Sequence, residues 1–243
     1  MVGEAQRPWV IFDLDGTLLD YRRAESEAVT LALRALGLEV TSPVLERYRE
    51  VNARHWAALE QGETTPSRLR LDRWRELLVE LDAAGVCHLD VAAVDLPALA
   101  ERYVRHLADG AYLEPGATEV VATLSATHGI AMVTNGLADV QRPRLAASPL
   151  AEAAEVLVIS DEVGAAKPDP AIFEVAWEAM GRPPREAVTM VGDSLTSDIA
   201  GGRAYGLATV WIAPGHQPLP EDPALRPDHR IAALTELPAV LGV

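Results

Sequence analysis

Cysteine is almost missing from this chain. Cys87 is the single cysteine in 243 residues, which excludes a disulfide within the chain and any zinc site built on several thiolates. A reducing cytoplasm is the expected compartment, because oxidising compartments favour paired cysteines. Long apolar runs are missing as well. No segment approaches the roughly 20 uninterrupted apolar residues of a membrane-spanning helix, and Met1 to Pro8 lack the apolar stretch of a secretory signal. No membrane partner is expected. Positive charge is scarce: 21 basic residues stand against 36 acidic ones, the net charge is −15, and arginines and lysines form no run. Such a chain is a poor binder of nucleic acid. An anionic substrate must be met by a metal ion or by individually placed cations. There is no internal repeat and no low-complexity tract.

Apolar material is plentiful. With 49% hydrophobic residues, the chain can build one large core, or a core and a smaller domain. It is organised around Trp9-Val10-Ile11-Phe12-Asp13-Leu14-Asp15-Gly16-Thr17. The apolar run is short, β-branched and aromatic, which predicts a buried strand. Asp13 and Asp15 follow at a spacing of two, which points both side chains the same way while the backbone stays extended. Gly16 permits a turn and a close approach. Aspartates and a glycine after a strand also make ordinary turns, so three later stretches carry much of the weight.

From Tyr21 to about Gly110 the pattern is helical throughout. Apolar residues recur at helical spacing after Ala24, and Thr41-Ser42-Pro43 and Thr64-Thr65-Pro66 read as capped helix starts. A further helix is predicted over Leu96 to Ala108. This segment has the size of a small bundle. From Leu113 onward strands and helices alternate, with strands predicted over 130–134, 155–160, 188–191 and 207–212. Helices are predicted over 138–147 and 197–205, and Asp169-Pro170 caps another. Pro214 to Pro227 carries five prolines and reads as a surface loop. The expected fold is therefore α/β: a Rossmann-like parallel sheet, covered on both faces, with an inserted all-helical cap. The expected domains are a core of residues 1–20 and 113–243 and a cap of residues 21–112.

Four stretches fall where strands should end: Asp13 to Thr17, Thr134-Asn135-Gly136, Lys167-Pro168, and Gly192-Asp193-Ser194 with Asp198. A parallel sheet brings such ends to one edge. Converging carboxylates must be protonated, neutralised or metal-bound, and oxygen ligands suit a hard cation such as Mg²⁺. Each stretch also has a plainer reading. Thr134 to Gly136 can be a polar turn, Lys167 a solvated surface charge, and Asp198 a helix cap.

In sequence and in order, the four stretches resemble the motifs of the haloacid dehalogenase superfamily, mostly aspartate-nucleophile phosphatases. The likeness covers residues 1–20 and about 113–243, and the helical insert resembles that superfamily's first cap class. Dehalogenases proper lack an aspartate at the second acidic position, so Asp15 favours phosphoryl transfer. The resemblance implies that Asp13 is the nucleophile and forms an aspartyl-phosphate. It implies that Asp15 protonates the leaving alcohol and then activates water. Mg²⁺ is implied to be held by Asp13, the backbone carbonyl of Asp15 and Asp193, with Asp198 in support. Thr134 and the amides around Asn135 and Gly136 are implied to grip the phosphoryl oxygens, and Lys167 to pair with the phosphate and Asp13.

A finer likeness lies in Thr134-Asn135-Gly136 through Gln141 and Arg144-Leu145, and in Asp193-Ser194-Leu195-Thr196-Ser197-Asp198. It resembles the pyrimidine nucleotidase branch, active on nucleoside monophosphates with standard and non-standard bases. The implied partner is a small phosphorylated metabolite, foremost a nucleoside monophosphate. Sugar-phosphate phosphatase and 2-haloacid dehalogenase stand as alternatives. Tyr21, Tyr48, Trp56, Trp74 and Tyr103 either stack on a base or pack helices together.

Overall fold

A computed structural model describes residues 7–213, 215 and 217–243. Met1 to Gln6, part of the segment read as lacking a secretory signal, lie outside the described residues, as do Pro214 and His216 of the proline-rich loop. Among the described residues, six strands form one sheet: β1 (Trp9–Phe12), β2 (Gly129–Thr134), β3 (Val156–Ile159), β4 (Val188–Gly192), β5 (Ala208–Ile212) and β6 (His229–Ile231). All neighbours are parallel, in the order β3-β2-β1-β4-β5-β6. β1 to β5, runs of four to six mostly apolar residues buried on both faces, suit this arrangement. From β1 the chain steps outward through β2 and β3. It then returns to the other side of β1 and steps outward through β4, β5 and β6. The strand order therefore reverses between β1 and β4, and ligands of open α/β sheets bind beyond the carboxyl ends of strands at such a reversal.

The chain divides into two compact units. One runs to Tyr21 and resumes at Ala111; the other is Arg22–Gly110. The second is wholly helical, built from α1 (Tyr21–Arg34, whose first residue belongs to the other unit), α2 (Ser42–Glu60), α3 (Pro66–Ala83) and α4 (Leu96–Ala108). Thr65 caps α3 by accepting from Arg68 N, and Asp95 caps α4 by accepting from Ala98 N. Thr41 sits at the start of α2 without making a side-chain cap bond, so Pro43 in the first turn sets that start alone. Tyr48, Trp74 and Tyr103 are fully buried inside this unit, their ring centroids 5.1 to 5.7 Å apart. The three rings are packing residues, the plainer of their two readings.

In the first unit the sheet is covered on both faces. Val10, Phe12, Ile130, Met132, Val191 and Val210 pack with α5 (Ala117–Ser125) and with Leu234 and Leu237 of the tail. Ile11, Ala131, Val133, Val158 and Met190 pack on the opposite face with Ile172, Phe173 and Ala176. The alternation of Val10 and Phe12 against Ile11 follows the two-residue period of a strand. α6 (Ala138–Ala146) follows β2, and α7 (Ser160–Val163), a single turn, follows β3. α8 (Pro170–Ala179) and α9 (Ala200–Tyr205) flank β4, and α10 (Leu237–Val240) closes the chain. The helix predicted from Ser197 starts instead as a π-helical turn over Leu195–Ile199 that leads into α9. β6 and α7, of three and four residues, are too short to leave a recognisable sequence pattern. Among the described residues, no helix is long and apolar enough to cross a membrane.

Candidate active site

Asp13 is the first residue beyond β1. Its amide donates to Val191 O at 2.9 Å, which carries the sheet's bonding one residue past the strand. The chain then closes a tight loop, with Leu18 N and Leu19 N both donating to Leu14 O and Gly16 N donating to Leu19 O. Gly16 has φ of +85°, and a Cβ there would sit 2.5 Å from Asp193 Oδ2. Glycine is required twice over, by the backbone and by the carboxylate of the β4 loop.

Lys167 arrives from the segment between α7 and α8. It is 2% exposed. Its Nζ donates to Asp13 Oδ1, Asp198 Oδ1 and Val133 O, each at 2.7 Å. An ammonium has three N–H bonds, and each has its own acceptor. Asn135 holds the lysine backbone from both sides: Lys167 N donates to its Oδ1 at 2.7 Å, and its Nδ2 donates to Lys167 O at 2.8 Å. The Lys167–Pro168 peptide is cis. Burial alone would lower the Lys167 pKa, but attraction to Asp13 and Asp198 outweighs it and holds the ammonium above its ordinary value.

Asp198 is 1% exposed. One carboxylate oxygen accepts from Lys167 and the other from Ser194 N at 3.0 Å. It sits within the π-turn rather than at the cap of α9, whose cap position is Ile199. Such turns are frequent at functional sites. Asp193 follows β4, its loop anchored by Trp211 Nε1, which donates to Asp193 O at 2.9 Å. The residue reaches solvent, yet desolvation of the carboxyl and repulsion from Asp198 push its pKa up to about 6. Burial, with Asp198 and Asp193 nearby, also pushes Asp13 above the usual carboxylate range despite Lys167.

Asp15 faces other partners. β1 ends at Phe12 and the backbone turns before Asp15, so the extended-chain expectation of two parallel side chains does not govern here. Its carboxylate accepts from Arg144 Nη1 and from Gln141 Nε2, both on α6. Thr134, at the end of β2, is buried and its Oγ1 accepts from the same Gln141 Nε2 at 2.8 Å. Gly136 N donates to Ser160 Oγ at 3.0 Å. The structure thus gathers Asp13, Asp193, Asp198 and Lys167 into one cluster, and links Asp15 with Thr134 through Gln141.

A family model for haloacid dehalogenase-like hydrolases matches residues 8–206. The chain belongs to that family. Over 239 residues this hydrolase is 31% identical to the pyrimidine 5′-nucleotidase YjjG of Escherichia coli (strain K12), covering 96% of this chain and 97% of that one. It is 30% identical over 209 residues to the pyrimidine 5′-nucleotidase PynA of Streptococcus pneumoniae, covering 86% and 84%. The crystal structure of the HAD-hydrolase YfnB of Bacillus subtilis, bound to magnesium, superposes with a TM-score of 0.85 at 29% identity, covering 98% of this chain and 99% of that one. Within its family the hydrolase stands with the phosphatases.

The donor set of the hydrolase fits a hard divalent cation. One carboxylate oxygen from each of Asp13, Asp193 and Asp198 lies within 4.8 Å of the other two. All donors are oxygens, the chemistry that Mg²⁺ prefers. Three acids against one lysine leave a local excess of negative charge that a cation relieves. Both Asp198 oxygens already have protein partners, so Asp13 and Asp193 are the better placed ligands. The carboxylate of Asp15 is taken up by α6, which leaves only its backbone carbonyl as the metal contact implied earlier.

Two further signals lie in the sequence. Lys167 is the only lysine of the hydrolase; every other basic residue is arginine. A chain that otherwise uses arginine, yet keeps one lysine before a capped helix, needs a compact ammonium there. Gln141 and Arg144, three apart on one helix, share a face, which is how both can serve a single carboxylate.

Proposed function

We propose that the hydrolase is a Mg²⁺-dependent phosphomonoesterase that works through an aspartyl-phosphate on Asp13, with pyrimidine nucleoside 5′-monophosphates as its foremost substrates. The observation that carries this reading is the meeting of Asp13, Asp193, Asp198 and Lys167 at the ends of β1 and β4, where the strand order reverses. Asp13, Asp193 and the Asp15 carbonyl would hold Mg²⁺, which when bound supplies charge neutralisation for the phosphoryl oxygens. A carboxylate oxygen of Asp13 attacks phosphorus as the ester P–O bond breaks. Asp15 passes its proton to the departing alcohol oxygen. The ionised Asp15 then takes a proton from water as that water attacks phosphorus, releasing phosphate and restoring Asp13. Lys167 pairs with Asp13, favours its ionised form and aligns it, and Thr134 with the Asn135 amide grips the transferring group. Gly136 N is engaged by Ser160, so it is the weaker part of that grip. Phosphoryl transfer depends mainly on such alignment and charge stabilisation.

Asp15 separates this reading from 2-haloacid dehalogenation, which needs no acid for the leaving halide. The nucleotide preference is supported by YjjG and PynA, both pyrimidine 5′-nucleotidases, and by the Leu195-Thr196-Ser197 spacer between Ser194 and Asp198. Phosphate release across a panel of nucleoside monophosphates and sugar phosphates tests it. Turnover should require Mg²⁺, stop with EDTA, and favour UMP or dTMP over purine nucleotides. A clear preference for a sugar phosphate would reassign the substrate and keep the reaction.

A further inference from the structure

The proposed mechanism asks Asp15 to give up a proton in one step and take one in the next, and α6 holds that residue firmly. Arg144 is fully buried and Gln141 is 1% exposed. Arg144 Nη1 donates to Asp15 Oδ1 and, at 3.0 Å, to Gln141 Oε1. Gln141 Nε2 donates to Asp15 Oδ2 at 2.7 Å and to Thr134 Oγ1 at 2.8 Å. The two N–H bonds of one carboxamide are therefore divided between the acid–base carboxylate and the hydroxyl of the phosphoryl grip. Gly136 makes room for this side chain, since a Cβ there would meet Gln141 Cγ and Nε2 at 2.7 Å. The ring centroid of Tyr21 lies 5.8 Å from the Arg144 guanidinium carbon. A helix that merely filled space here would bury apolar side chains, because buried polar and charged groups cost free energy unless fully paired.

We propose that Gln141 and Arg144 are positioning residues for the reaction, fixing the Asp15 carboxylate in the one orientation from which it serves the leaving group. The proposal rests on the phosphomonoesterase reading above and goes beyond it to two residues that act through Asp15. It predicts a dependence on the leaving group that loss of folding cannot mimic. An alkyl ester needs a proton delivered to its oxygen, whereas 2,4-dinitrophenolate leaves without one.

The test measures kcat/KM of the full chain with Mg²⁺ for UMP and for 2,4-dinitrophenyl phosphate, in the wild type, Gln141→Leu, Arg144→Lys and Asp15→Asn. This ratio reports steps only through transfer to Asp13. The two variants of α6 should lose about 100-fold with UMP and about threefold or less with the aryl ester. Asp15→Asn should show the same selectivity, more strongly. Comparing two esters on one preparation cancels any difference in the fraction folded. Equal losses on both esters, or no loss on either, in Gln141→Leu and Arg144→Lys would overturn the proposal while a selective loss in Asp15→Asn leaves the phosphatase reading intact. Wild-type protein that cleaves neither ester would bring down both.

Discussion

Each N–H bond of Lys167 has a separate acceptor, and no other side chain can reproduce that. Arginine is planar and too large for a site that is 2% exposed, and a neutral residue would leave Asp13 and Asp198 buried side by side. In Lys167→Met the metal-free protein should lose about 3–5 kcal/mol of stability in urea unfolding, the usual cost of breaking a buried ion pair. Added Mg²⁺ should recover part of that loss, because a cation relieves the remaining repulsion. An unchanged midpoint in metal-free buffer would mean that the lysine and the two carboxylates do not depend on one another. The residue types of this cluster were legible in the sequence; their partners were not. Nothing local says that Asp198 pairs with Lys167 from 31 positions away, or that Asp15 is held by residues 126 and 129 positions further on. Those pairings arise only once the sheet has formed.

Among the elements, the strands announced themselves because β-branched and aliphatic runs of four to six residues can hardly be anything else when buried on both faces. Helices with a proline or a capping carboxylate at the start were equally plain. The failures have physical causes. β6 has three residues, two of them exposed, and is held as a strand by its pairing to β5. The Leu195–Ile199 turn departs from the α-helix where Asp198 must reach Lys167 and Ser194 N, a tertiary demand that propensity does not record. Thr41 looks like a cap in sequence and makes no cap bond. The aromatic residues of the helical unit posed a different choice, between substrate stacking and packing. Tyr48, Trp74 and Tyr103 fill the interior between α2, α3 and α4, with the Arg73 guanidinium 4.5 Å from the Tyr103 ring. Trp74→Ala should therefore cost about 3–5 kcal/mol in stability and leave the ranking of nucleotide substrates unchanged. A shift in that ranking with little loss of stability would return Trp74 to the list of base-stacking candidates.

At the scale of the whole molecule, the first unit is assembled from segments far apart in sequence, yet it holds its own core. The apolar clusters on the two faces of the sheet contain no residue between Arg22 and Gly110. The two chain segments that flank the insert already meet, with Asp20 N donating to Tyr112 O at 3.0 Å. Deleting residues 22–110 and joining Tyr21 to Ala111 through a short glycine-serine link should leave a chain that unfolds cooperatively by circular dichroism. A featureless melt would show that the helical unit is needed for the sheet to form. The net charge of −15 makes the chain as a whole repel a phosphate ester, so under the proposed function attraction comes from Mg²⁺ and Lys167 at short range. That places the whole account on what happens at Asp13. Acid quenching during turnover of UMP with Mg²⁺, followed by mass spectrometry of the peptides, tests this most directly. The account predicts one phosphoryl group on Asp13, formed and lost at rates that match turnover, and none in Asp13→Asn. Steady phosphate release by an enzyme whose Asp13 is never phosphorylated, or undiminished release by Asp13→Asn, would contradict it.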